Sequence, residues 1–138
     1  MESTISMQDM RHLNLFKDIT QISTRFCFEY NDTIFFCVPR NLVSKAIGED
    51  GKNSKQLSKI IGKKIRIITS PEGISDAERF VKQIVEPVEF KNLEIRDNEI
   101  IIHAGSKNKA AFIGREKRRY LEMKKILKDF FGKELRIL

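Results

Sequence analysis

The chain has 138 residues, 41% hydrophobic and 33% charged, and its 26 Lys+Arg against 19 Asp+Glu leave a net charge of +7. That length accommodates one medium domain or two small ones, and the composition is that of a folded protein, not a disordered tail. No apolar run approaches the roughly 18–20 residues of a membrane-spanning helix, and two cysteines are too few for a disulfide framework.

In chain order, Met10, Leu13, Phe16 and Ile19 recur every three residues and predict a helix over about residues 6–20. Residues 25–30 and 33–38 are β-branched and aromatic, and Asn31-Asp32 between them reads as the turn of a hairpin. Asn41 is placed to cap a short helix that runs to Ile47. A second helix is expected over 53–61, with Leu57, Ile60 and Ile61 inward and Gly62 ending it; residues 64–69 form a closing strand. Ser75 with Glu78 three residues on has the form of a capping box, followed by the apolar face Ala77, Phe80, Val81, Ile84 and Val85 and a stop at Pro87. A second hairpin spans 93–96 and 99–103 around Asp97-Asn98. A short helix follows over 107–113, a longer one over 116–131, and a strand over 134–138. The longer helix carries Tyr120, Met123, Leu127, Phe130 and Phe131 on one side and Lys117, Lys124 and Lys128 on another.

The second set of elements repeats the first. Ile34-Phe35-Phe36-Cys37-Val38 aligns with Ile100-Ile101-Ile102-His103-Ala104, and Ala46-Ile47-Gly48 with Phe112-Ile113-Gly114, both at an offset of 66. Gly62-Lys63-Lys64-Ile65-Arg66-Ile67-Ile68 aligns with Gly132-Lys133-Glu134-Leu135-Arg136-Ile137-Leu138 at an offset of 70, so four residues are inserted in the helix between. Two α-β-β-α-α-β units are expected, residues 1–70 and 71–138, the second opening with a linker helix over 76–86. Two such units fill the sequence and leave no expected room for a third.

Charge is concentrated. Residues 40–66 hold eight Lys/Arg against Glu49 and Asp50, net +6, and residues 105–138 hold eleven against four carboxylates, net +7; everything else is net −6. Two matched basic blocks are the electrostatic footprint of a polyanion partner, although one Lys-rich helix alone is as readily a solvated face.

Each basic block contains a turn between two helices. In the first unit it reads Ile47-Gly48-Glu49-Asp50-Gly51-Lys52-Asn53. Glycines let a nucleic-acid backbone approach closely, and the helix that follows offers N–H donors to phosphate. In this setting the chain resembles the KH domain in its type II arrangement, and more closely the archaeal NusA-like proteins, which are little more than two such domains in tandem. The residues carrying the resemblance run from Ala46 to Asn53, then Leu57, then Gly62 to Ile67, and it covers about residues 10–138.

The resemblance implies an α+β chain of two tandem type II KH domains, each a three-stranded mixed sheet packed against helices. It also implies single-stranded RNA held in a cleft of each unit. The residues it points to are Ile47, Gly48, Gly51, Lys52, Asn53 and Lys55 in the first unit, and Ile113, Gly114, Arg115, Lys117 and Arg118 in the second. Two features depart from the family pattern. Glu49 and Asp50 place two carboxylates where a phosphate would lie, and Gly114-Arg115-Glu116-Lys117 lacks the closing glycine. Arg115, Lys117, Arg118 and Arg119 offer phosphate contacts in its place.

Other chemistries fit less well. A P-loop needs four residues between its glycines and Ser/Thr after the Lys, whereas here two residues intervene and Asn53 follows Lys52. His12 and His103 fall in different units with no Cys or carboxylate at ligand spacing, so no metal or cofactor is expected, and no enzymatic activity. Cys27 and Cys37 flank the hairpin. A two-residue turn puts their sulfurs on opposite sheet faces, whereas a three-residue turn pairs them. The phenylalanines fall at core periodicity and read as packing. Met1-Glu2-Ser3-Thr4 has neither a basic n-region nor an apolar h-region, so no secretory signal is expected and the cytoplasm is the expected compartment. The expected role is NusA-type transcription elongation or termination. The expected partners are single-stranded nascent RNA and RNA polymerase, with no membrane and no small-molecule substrate. The alternatives are an adaptor that docks on polymerase with weak or no RNA binding, which Glu49 and Asp50 favour, and a ribosome-associated or RNA-processing factor.

Overall fold

The computed structural model describes residues 6–138; residues 1–5, where the reading of the N-terminus and the start of the first domain fall, lie outside the described residues. The chain divides between Ser70 and Pro71 into two compact units.

In the first unit, α1 (Met7–Thr20) begins at Ser6, whose Oγ accepts the Asp9 N–H at 3.0 Å, and ends at Gln21 in the left-handed region. Strands β1 (Phe26–Tyr30) and β2 (Thr33–Val38) are joined by Asn31 and Asp32, with φ of 52° and 57°. Two positive-φ residues are what a two-residue hairpin turn needs to match the strand twist. The register is therefore Cys27 opposite Phe36 and Phe26 opposite Cys37, which places the two sulfurs on opposite faces. After α2 (Val43–Ile47) and α3 (Lys52–Ile61), strand β3 (Lys64–Thr69) pairs parallel with β2, giving the order β1-β2-β3. Phe16, Ile34, Phe36, Val38, Ala46, Leu57 and Ile67 form the core, with the Phe16 and Phe36 rings stacked at 4.5 Å. Each such buried ring contributes about 1.5–3 kcal/mol. The alternate strand positions are apolar too. Phe28, Phe35, Cys37 and Ile68 are buried, Phe28 stacks on Phe35, and the Arg66 guanidinium lies 5.6 Å from the Phe35 ring centre.

The second unit repeats the topology. A 3-10 turn (Ile74–Asp76) leads into α4 (Ala77–Val85), which stops before the Glu86–Pro87 bond. Strands β4 (Asn92–Arg96) and β5 (Glu99–His103) form an antiparallel hairpin. Helices α5 (Lys109–Ile113) and α6 (Arg118–Phe131) follow, and β6 (Glu134–Ile137) pairs parallel with β5. Phe80 of α4 meets Phe130 of α6 at 4.7 Å. Here the alternate strand positions are ionic around a buried Ile101: Glu94 pairs with Arg96 and, at 3.0 Å, with His103, while Arg136 pairs with Glu99 at 3.3 Å. Helix α6 has 14 residues and its counterpart α3 has 10, so the inserted four lie within the helix.

Three local expectations are corrected. Asn41 caps nothing, because a 3-10 turn (Arg40–Leu42) precedes α2 and absorbs it. Ser75 likewise lies inside a 3-10 turn, and the carboxylate of Asp76 instead accepts the Glu72 N–H at 3.2 Å and an Arg79 N–H at 2.8 Å. Ile60 is 56% exposed, since Leu57 and Ile61 define the buried face of α3 and Ile60 lies to its side. No helix among the described residues is long and apolar enough to cross a membrane.

Candidate nucleic-acid interface

The turn between α2 and α3 is built on two different left-handed conformations. Gly48 has φ 84° and ψ 165°, a combination that is essentially glycine-only, whereas Asp50 (56°, 26°) and Gly51 (72°, 20°) lie in the ordinary left-handed helical region. Sterics separate the two glycines as well. A Cβ on Gly48 would lie 3.0 Å from the Asn53 side chain, while one on Gly51 would meet only Lys55 Cε at 3.7 Å. The Gly48 N–H donates to Ser44 O at 3.0 Å and the Gly51 N–H to Gly48 O at 3.1 Å, which closes the turn. The Asn53 amide donates back to Ala46 O at 3.1 Å and so ties the start of α3 to the end of α2.

The second turn copies this backbone with other residues. Gly114 has φ 76° and ψ 173°, Glu116 lies at 55°, 30°, and Lys117 lies at 62°, 21° where the first turn has Gly51. The Gly114 N–H donates to Ala110 O at 2.9 Å and the Lys117 N–H to Gly114 O at 3.2 Å. Missing the closing glycine therefore leaves the turn geometry intact, and the cost is a lysine held in a left-handed conformation, about 1–2 kcal/mol. Arg119 replaces Asn53, and a Cβ on Gly114 would come within 2.6 Å of its Cγ.

Each turn feeds a helix with no side-chain cap, so the positive end of the helix dipole is directed at the turn. Lys52 and Lys55 are exposed beside the first turn, and Arg115, Lys117 and Arg118 beside the second. Among the described residues, Lys52, Lys55, Arg115 and Lys117 make no ion pair, whereas Arg118 lies 3.8 Å from Glu122 and Arg119 lies 3.3 Å from it. Ile47 and Ile113 are half-buried at the ends of α2 and α5. Glu49 and Asp50 are exposed in the first turn, which from Gly48 to Asn53 is net −1; the second, from Gly114 to Arg119, is net +3.

Beside the second turn opens a cleft of about 440 Å³ lined by Ile113, Lys117, Tyr120, Leu135, Arg136 and Ile137, with Glu99 at its side. Of the residues expected from sequence, it brings together Ile113 and Lys117. Tyr120 and the β6 residues went unrecognised as site residues. Arg136 was detectable as the repeat partner of Arg66, while Tyr120 was read only as core. Its hydroxyl donates to Leu135 O at 3.4 Å, bridging α6 to β6.

One sequence reading is overturned away from the turns: His12 does have ligand-type neighbours. Asp9 lies three residues before it on α1, and docking of the hairpin brings up Cys27. Burial, then Asp9 and Glu29, pushes the Cys27 thiol up to about 12.

No family model matches the chain. It is 32% identical over 98 residues to a probable transcription termination protein NusA of Halococcus morrhuae, an alignment spanning 71% of this chain and 68% of that protein. With a protein of the same description from Methanococcus vannielii it shares 26% identity over 105 residues, 75% of this chain but only 59% of that one. Among solved structures it is similar in fold to the crystal structure of APE1850, with a TM-score of 0.65 and 24% identity over 97% of this chain and 100% of that one. By sequence, then, the chain belongs to the archaeal NusA-like family of transcription termination proteins.

Proposed function

We propose that the two units are type II KH domains that bind single-stranded RNA, and that the chain acts on the nascent transcript in elongation or termination with RNA polymerase as partner. The observation that carries this reading is the shared turn. In both units a glycine-only residue and two left-handed residues deliver the chain into an uncapped helix flanked by unpaired cations. Such a turn suits a phosphodiester backbone, because donors and positive charge converge where no side chain blocks approach. Lys52, Lys55, Arg115, Lys117 and Arg118 are the phosphate contacts in this reading. Ile47 and Ile113 support bases, Gly48, Gly51 and Gly114 admit the backbone, and Asn53 holds the first turn in shape. The role is binding rather than catalysis. The second turn is the stronger contributor, because Arg115 replaces Glu49 and Lys117 replaces Gly51.

The test is anisotropy of labelled single-stranded RNA across a salt series, with the full chain beside Lys52→Glu and Arg115→Glu/Lys117→Glu. The slope of log K against log salt should be about −0.7 per phosphate neutralised. It should flatten more in the second-turn double variant than in Lys52→Glu. Binding indifferent to both turns would overturn the cleft assignment and favour docking on a protein partner.

A further inference from the structure

Asp9 and His12 lie three residues apart on α1, which is one helical face. Cys27 lies opposite Phe36 in the sheet register and packs against the same core as Phe16 of α1. One ring nitrogen of His12, the Cys27 Sγ and a carboxylate oxygen of Asp9 lie within 4.8 Å of one another, and all three residues are half-buried. The Nδ1 atom of His12 is itself buried and has no hydrogen-bond partner among the described residues. A buried polar nitrogen without a partner calls for a ligand to satisfy it.

We propose that Asp9, His12 and Cys27 form a binding site for a divalent transition-metal ion, zinc by the character of the donors. A thiolate, an imidazole and a carboxylate form the mixed sulfur–nitrogen–oxygen set that suits zinc, whereas calcium and magnesium take oxygen alone. The thiolate and carboxylate together cancel the charge of the ion, and the fourth tetrahedral position is left to water. Bond lengths of about 2.0–2.3 Å at the tetrahedral angle put donors roughly 3.3–3.7 Å apart. Donors already within 4.8 Å of one another therefore close in by at most about 1.5 Å, within the reach of small side-chain rotations. As the S–Zn bond forms, the Cys27 thiol gives its proton to solvent, and the ion supplies the positive charge that the surrounding Asp9 and Glu29 lack. Two ligands on α1 and one on β1 make the ion a pin that fastens the N-terminal helix to the edge of the first sheet.

The test uses the full chain and cobalt(II) as a coloured stand-in for zinc. Cobalt should produce a thiolate-to-metal charge-transfer band and the strong visible absorption of a four-coordinate site. Zinc should displace it and raise the thermal midpoint. Cys27→Ser and His12→Gln should each lose the charge-transfer band or weaken binding by more than the roughly 10–100-fold that loss of an outer-shell partner costs. His103→Gln, in the other unit, should bind as the native chain does. Asp9→Asn keeps the test decisive should Cys27→Ser fail to fold, since it removes one ligand charge while keeping its shape. Absence of a charge-transfer band in the native chain, or its survival in Cys27→Ser, overturns the site.

Discussion

The two turns share a backbone and differ in almost every side chain. Gly48-Glu49-Asp50-Gly51 and Gly114-Arg115-Glu116-Lys117 share their left-handed positions, yet the first is net −2 and the second net +1. The difference separates two roles that a GxxG pattern runs together. The first glycine occupies a conformation that side chains do not enter, with a neighbouring side chain packed where its Cβ would be. The second occupies the left-handed helical region, where a lysine can stand at modest cost.

Substitutions at the glycines would break the comparison soonest. Gly114→Ala should be the most damaging, because its Cβ would come within 2.6 Å of Arg119 Cγ and 3.0 Å of the Arg119 backbone nitrogen. A loss of about 2–3 kcal/mol is expected in thermal or urea unfolding, with Gly48→Ala close behind. Gly51→Ala should cost only about 1 kcal/mol, because there is room for its Cβ and the conformation is one that Lys117 already adopts. Equal losses at Gly48 and Gly51 would show that the two positions are not distinct.

The smallest expected effect concerns the sheets, which differ as the turns do. The alternate face of the first carries Phe28, Phe35 and Cys37; that of the second carries Glu94, Arg96, His103, Glu99 and Arg136. The hydrogen bond with His103, then that from Arg96, holds the Glu94 carboxyl below its ordinary 4.5. A lowered carboxyl contributes stability that is present above the unfolded value and is lost as pH falls through the folded one. Melting points taken from neutral pH down past 4.5 should therefore fall slightly less steeply in Glu94→Gln than in the native chain.

Much of the fold was legible because local signals agreed. Asn31-Asp32 marked the hairpin, and although the sequence left a two- or a three-residue turn open, the left-handed Asn31 and Asp32 make it two and put Cys27 opposite Phe36. Three-residue spacing likewise marked Phe16 as core. Two of the failures share a physical origin in what precedes a helix. Asn41 and Ser75 look like caps, but each is taken up by a 3-10 turn, a choice set by how the chain enters the helix. The site was half legible. Motif spacing located both turns and offered Lys117 as a phosphate contact, but the missing glycine left the shape of the second turn open, since dihedral angles are not written in residue types. Tyr120 and the β6 residues of the cleft needed the packing of α6 on the sheet. The neighbours of His12 needed a hairpin docked on a helix, a contact between residues 15 apart in sequence.

The four-residue difference between α3 and α6 has its own consequence. Four residues turn a helix by about 400°, only some 40° past a full revolution, and lengthen it by about 6 Å. A unit can therefore change size between its turn and its closing strand without rotating either end out of place. Length drift in this architecture is tolerated in quanta of one helical turn. In the second unit that quantum lengthens a rod bearing Lys124, Lys125 and Lys128, and the added length carries Lys128 to within 2.8 Å of Glu134 on the closing strand.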